Sequence, residues 1–105
     1  MGALAKVAGA VLVSIILQST AQAQSAQRGV VIARTYCMSC HSIDKVSPSP
    51  LKAAPPFRDL HKKYPVESLQ ESLAEGIVTG HPSMPEFSFD ADQIGDFIAF
   101  LNSLR

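Results

Sequence analysis

Two thiols three residues apart, with an imidazole directly after the second, constrain this chain more than any other feature. They lie in Cys37-Met38-Ser39-Cys40-His41, a C-x-x-C-H arrangement. On a helix, residues three apart share one face, so both thiols can reach a single flat ligand. The imidazole that follows is then placed beneath it. This is the pattern of covalent c-type haem attachment: Cys37 and Cys40 form thioethers with the two vinyl groups, and His41 supplies an axial nitrogen to the iron. A structural dithiol, a thioredoxin-like redox pair or half of a zinc site are the other readings of two such cysteines.

The start of the chain has its own pattern. After Lys6 runs an uncharged apolar stretch, Val7 to Leu17, then polar residues and Ala21-Gln22-Ala23. A basic start, a short apolar core and an A-x-A end predict a secretory signal peptide, residues 1–23, cleaved after Ala23. The apolar run is shorter than the about 20 residues a membrane span needs. An uncleaved leader acting as a membrane anchor is the alternative. Export and haem attachment belong together, because haem is commonly joined to such motifs outside the bacterial cytoplasm. The expected location is the periplasm, with no membrane span after leader cleavage.

The mature chain, 24–105, is one small domain. Lys6 is the only one of nine Lys and Arg residues in the leader, so eight remain against nine acids, a formal charge of −1. Haem propionates would make it more acidic. No basic stripe suits nucleic acid, and that class of partner is set aside. A chain this short has a marginal core and needs a staple, which a covalently held haem would be. The haem-free chain is expected to be poorly folded.

Helical periodicity predicts a first helix over Gln27–Cys40, with Gly29, Ala33, Cys37 and Cys40 forming a face of small residues that another helix can approach, and Val30, Ile32 and Tyr36 as apolar bulk beside it. Four prolines (Pro48, Pro50, Pro55 and Pro56) mark 42–56 as an irregular loop. A ligand imidazole commonly donates its second N–H to a carbonyl, and Pro55 is the favoured acceptor over Pro56. Short helical turns are expected over 57–64. A helix is expected from Pro65 to about Glu75, closed by Gly76. Asp90 caps the last helix with Gln93 at the capping-box position, and Ile94, Phe97, Ile98, Leu101 and Leu104 form its buried stripe, with Phe100 beside it.

Gly80-His81-Pro82-Ser83-Met84-Pro85-Glu86-Phe87 reads as a loop held by prolines, and Met84 is the expected sixth ligand. Its soft thioether favours ferrous iron and raises the potential relative to a nitrogen ligand. His81, three residues away, and His61 are the competing ligands. Met38, inside the motif, is not expected to bind iron. Neither His61 nor His81 has a carboxylate and nucleophile around it for acid–base catalysis.

Together these residues resemble the small class I (mitochondrial-type) bacterial cytochromes c. The resemblance covers roughly Gln27 to Arg105 and rests on Gly29-x-x-x-Ala33-x-x-x-Cys37, the C-x-x-C-H run, Pro55-Pro56-Phe57, Met84-Pro85 and Phe97-Ile98-Ala99-Phe100-Leu101. It implies an all-α class I cytochrome c fold: short helices wrapped around one covalently attached haem c, with N- and C-terminal helices crossing near the glycine. It also implies His41 and Met84 as axial ligands. The crossing aromatic, often Tyr in the family, is Phe100 here. The chain has no Trp, so the Trp–propionate contact of some members is missing. Tyr64, Arg58 and Lys52 are candidates to hold a propionate instead.

The leading functional expectation is a monomeric periplasmic carrier of single electrons, not an enzyme, that meets redox-partner proteins by transient contact. A haem subunit of a dehydrogenase or oxidase complex is the main alternative. A ligand-binding or peroxidatic haem protein is another, and it would need an open sixth position. A C-x-x-C thiol oxidoreductase leaves His41, Met84 and the leader without a shared explanation.

Overall fold

The computed structural model describes residues 2–3, 8–15, 23–76 and 84–105. Within them the chain forms three α-helices, α1 (Ala26–Tyr36), α2 (Leu69–Glu75) and α3 (Ala91–Ser103). Two 3-10 helices, Phe57–Lys62 and Val66–Ser68, lie between α1 and α2. No strand occurs among the described residues, and no helix there is long and apolar enough to cross a membrane. Of the expected leader, 2–3, 8–15 and 23 are described; all are non-helical, and Val11, Leu12, Val13 and Ile15 are exposed.

The two long helices begin on side-chain caps. Ser25 Oγ accepts the Arg28 N–H at 3.2 Å and starts α1. At α3, Asp90 Oδ1 accepts the Gln93 N–H at 2.8 Å, and Gln93 Oε1 accepts the Asp90 N–H at 3.1 Å, the reciprocal pair expected from the sequence. The stripe on α3 is buried throughout, with Leu101 among the most deeply enclosed side chains. Ala33, fully buried, faces it from α1.

Gly29 sets how closely α1 and α3 approach. A Cβ at this position would run into the Asp96 carbonyl and sit 2.6 Å from Phe100 Cβ. The close packing comes from the glycine's missing side chain, and Phe100 is indeed at the crossing.

The first helix is shorter than its periodicity predicts. It ends at Tyr36, not Cys40, because Cys37 and Met38 both donate their N–H to the Ala33 carbonyl, at 2.9 and 3.0 Å. The second of these bonds reaches back five residues, so the α-helical register is lost. A separate turn follows, in which the Cys40 and His41 N–H groups both bond the Cys37 carbonyl (3.2 and 2.9 Å). The expected helix from Pro65 also divides: Val66–Ser68 is a 3-10 turn, and α2 proper starts at Leu69. Val66 and Leu73 are buried on this segment, as their spacing requires.

A buried acid joins the two ends of the domain. Asp96, on α3, accepts the Ser25 N–H at 2.7 Å and a fork from Arg28, whose Nε lies 2.8 Å from Oδ2 and Nη2 3.1 Å from Oδ1. A charge in the apolar stripe of a helix needs such partners, since burying it alone is prohibitive. Arg28 also bonds the carbonyl of Ala23, the residue at the expected cleavage point.

The hydrogen bond from Arg28, more than any other contact, holds the Asp96 carboxyl below its ordinary range. A carboxylate with a depressed folded-state pKa stabilises the fold above its unfolded value of ~3.9, and that stabilisation is lost as pH falls through the folded value. Asp96→Asn is therefore expected to unfold more easily at neutral pH, yet to show a flatter loss of stability below about pH 4 than the unmodified protein. Denaturant midpoints measured from pH 7 down to pH 2 check this; parallel acid limbs for the two proteins would remove Asp96 from the account.

Candidate functional site

The turn after α1 presents Cys37, Cys40 and His41 together. Both cysteines are half-buried and neither is in a disulfide. Burial pushes the Cys37 thiol up to about 11.

His41 is held from behind. Its Nδ1 lies 2.7 Å from the Pro55 carbonyl oxygen. A carbonyl only accepts, so Nδ1 carries the proton and Nε2 keeps the lone pair that a metal needs. The Phe57 ring packs on the imidazole at 4.8 Å, and Phe97 of α3 meets Phe57 edge-on at 5.7 Å. The backbone closes the same frame: the Phe57 N–H bonds the Ser42 carbonyl at 2.9 Å, and Leu51 N–H bonds the Cys40 carbonyl at 3.1 Å.

These groups open onto one cavity of about 350 Å³, lined also by Met84. Cys37, Cys40, His41, Pro55 and Met84, read from the sequence as a set, all line it. The rest of its wall is largely aliphatic and aromatic, from Leu51 and Ala54 of the loop, Leu60 of the 3-10 helix, Leu69 and Leu73 of α2, and Phe97 of α3. A flat apolar group bearing two thioether links and needing one nitrogen and one sulfur ligand fits this donor set and this wall.

Met84 reaches the cavity on an irregular segment tied to α2. The Phe89 N–H bonds the Leu73 carbonyl at 2.8 Å, and the Ser88 hydroxyl donates to the Ala74 carbonyl at 3.0 Å. Gly76 ends α2 at φ 106°, a left-handed conformation that glycine tolerates, and Glu86 packs against it. The expected loop at 80–83, and with it the competing ligand His81, lies outside the described residues. His61 sits on the 3-10 helix and does not line the cavity; nor does Met38.

The candidates for holding a propionate separate cleanly. Tyr64 lines the cavity, and burial raises its phenol pKa. Lys52 does not line the cavity, but Lys63 does, a residue the sequence reading did not single out. Arg58 is engaged elsewhere. Its Nη1 donates to the Ser47 carbonyl at 2.7 Å, and to Ser42 Oγ and the Asp44 carbonyl at 3.3 Å. Asp44 Oδ1 takes the Val46 and Ser47 N–H groups at 2.8 and 2.6 Å, which lowers its own pKa and sets the bend that Arg58 closes. Arg58 thus stiffens the loop that follows His41.

Two more aromatic residues line the cavity: Tyr36, expected only as apolar bulk on the first helix, and Phe89, not singled out in the sequence. The period-two placing of Phe87 and Phe89 was the signal available, since alternate residues of an extended segment face one side.

Comparison with known proteins draws on the whole domain. A family model described as Cytochrome c matches residues 26–105. The cytochrome c-552 of Bradyrhizobium diazoefficiens is 31% identical over 87 residues, which span 83% of this chain and 82% of that protein. The match runs from the first residue of α1 to the end of the chain, so it concerns the entire helical unit and not the attachment motif alone. By that agreement the chain belongs to the cytochrome c family, with the all-α class I fold, covalently attached haem c as its cofactor and haem-based electron transfer as its activity.

Proposed function

We propose that the mature chain, released from its leader, is a periplasmic monohaem carrier that passes single electrons between partner proteins, with His41 and Met84 as the axial ligands. When bound, the haem supplies a one-electron Fe(III)/Fe(II) couple. Cys37 and Cys40 would fix the ring covalently just beyond the end of α1. Pro55 holds the His41 ring through Nδ1, leaving Nε2 for the metal, and Phe57 limits its rotation. The apolar wall excludes water from the ligands. With both axial positions filled by anchored side chains, the protein has little to rearrange when the charge changes.

The observation that carries this reading is that His41 and Met84, 43 positions apart, line the same apolar cavity as the two cysteines. Were His41 and Met84 both to bind the iron, no position would be open to a substrate or gas, which favours a carrier over a ligand-binding haem protein. Ser39, Lys63 and Tyr64 line the cavity and are exposed as well. Through this side a partner would make the small, short-lived contact typical of electron transfer. A formal charge near zero gives weak electrostatic steering. Export is supported by the leader pattern: the basic start, the apolar Val7–Leu17 run and Ala21-Gln22-Ala23.

A redox titration of the haem-loaded protein tests the proposal. A single one-electron wave is expected, moving to lower potential in Met84→His, because a nitrogen ligand favours the ferric state. A potential unmoved by that substitution would reject Met84 as the ligand.

A further inference from the structure

The segment that carries Met84 is neither helix nor strand, and its hydrogen bonds named above run to α2. Its connection to α1 is aromatic. Phe87 and Phe89 lie on one side of the segment with their rings nearly parallel, 12° apart and 5.8 Å between centroids. The Tyr36 ring meets both edge-on, at 5.8 Å from Phe87 and 5.4 Å from Phe89, each at 62°. Edge-to-face geometry of this kind stabilises beyond the area it covers. Tyr36 is the last residue of α1 and directly precedes Cys37, the first attachment point. At 46% exposure it contributes little as a core residue, yet it lines the cavity with both phenylalanines.

We infer that Tyr36 is a positioning residue for Met84: with Phe87 and Phe89 it forms an aromatic clamp that ties the sixth-ligand segment to the helix end bearing the first thioether. The inference rests on the proposed His41/Met84 ligation. A haem held through Cys37 would anchor the end of α1, and with it the neighbouring Tyr36. Tyr36 then resists movement of the Phe87–Phe89 segment away from the iron. The phenol hydroxyl has no part in this, so phenylalanine should serve as well as tyrosine.

The test uses imidazole as a probe that can bind ferric iron only when Met84 withdraws. The haem-loaded protein is compared with Tyr36→Phe, Tyr36→Ala, Phe87→Ala, the Tyr36→Ala/Phe87→Ala double variant and Met84→Ala. Helical circular dichroism and mass confirm that each is folded and loaded. Tyr36→Ala is expected to bind imidazole about tenfold more tightly, the loss of two aromatic contacts, while Tyr36→Phe stays within about twofold. The double variant should add little to the larger single effect, because both changes open one clamp. If Tyr36→Ala matches the unmodified protein while Met84→Ala binds imidazole freely, the clamp is overturned and the ligation stands. If Met84→Ala itself behaves like the unmodified protein, the ligation fails and the clamp fails with it. Additive effects in the double variant would also overturn the clamp.

Discussion

Gly29→Val is expected to be the most damaging substitution at the helix crossing, lowering the denaturant midpoint of the haem-loaded protein and its yield. Two effects oppose each other at this position. A side chain in place of glycine improves helix propensity by at most ~1 kcal/mol. Against that, even a bare Cβ would overlap the Asp96 carbonyl and stand 2.6 Å from Phe100 Cβ. One of these neighbours is backbone and the other is rooted on it, so neither can rotate away. α1 and α3 would have to separate, pulling Ala33, Phe97 and Leu101 out of contact. Overpacking of this kind costs ~3 kcal/mol or more. A domain of this size has about 4–12 kcal/mol in all. The clash wins, and Gly29→Ala should show the same sign with a smaller shift. Equal or raised midpoints in chemical denaturation would mean that the helices cross elsewhere.

The second large effect is loss of the cofactor. A Cys37→Ala/Cys40→Ala double variant, unable to attach haem, is expected to lose most of its helical circular dichroism. The cavity that holds Cys37, His41 and Met84 has a volume of about 350 Å³. At ~24 cal/mol per Å³, leaving such a space empty would cost roughly 8 kcal/mol, an upper figure because an open cavity can wet or close. That is comparable to the whole stability of so small a domain. The residues around it, Leu60, Leu73 and Phe97, belong to the same cluster as the α1–α3 contact. The core therefore has no separate half that could persist alone. A haem-free variant with native helicity and a cooperative unfolding transition would contradict this.

The parts of the fold legible in the sequence are those fixed by local rules. The capping box at Asp90 and the stripe from Ile94 to Leu104 depend on spacing within one helix, and both are present. Gly29 was legible as a place where another helix can come close. The C-x-x-C-H run was legible because covalent chemistry dictates its spacing, and the structure brings Pro55 to the ring nitrogen of His41. The end of α1 was not legible. It is decided by Ala33 giving its carbonyl to two N–H groups, one of them five residues on, a choice that side-chain periodicity does not record.

Long-range polar pairs were equally hidden. Asp96 and Arg28 are 68 positions apart, and only the presence of an acid inside an apolar stripe hinted that a cation must meet it. Arg58 looked available to a propionate because its charge was visible and its three carbonyl and hydroxyl partners in the 42–47 loop were not. Tyr36 was read as bulk beside the small-residue face. Its role against Phe87 and Phe89 emerges only once the chain has returned across about fifty positions.

The most direct test of the account is the optical spectrum of the exported, haem-loaded protein, ferric and then ferrous, beside that of Met84→Ala. A c-type pyridine haemochrome with one haem per chain is expected, with a weak near-infrared charge-transfer band that disappears in Met84→Ala. A high-spin spectrum that shifts at once with carbon monoxide, or a chain carrying no covalent haem, would contradict it.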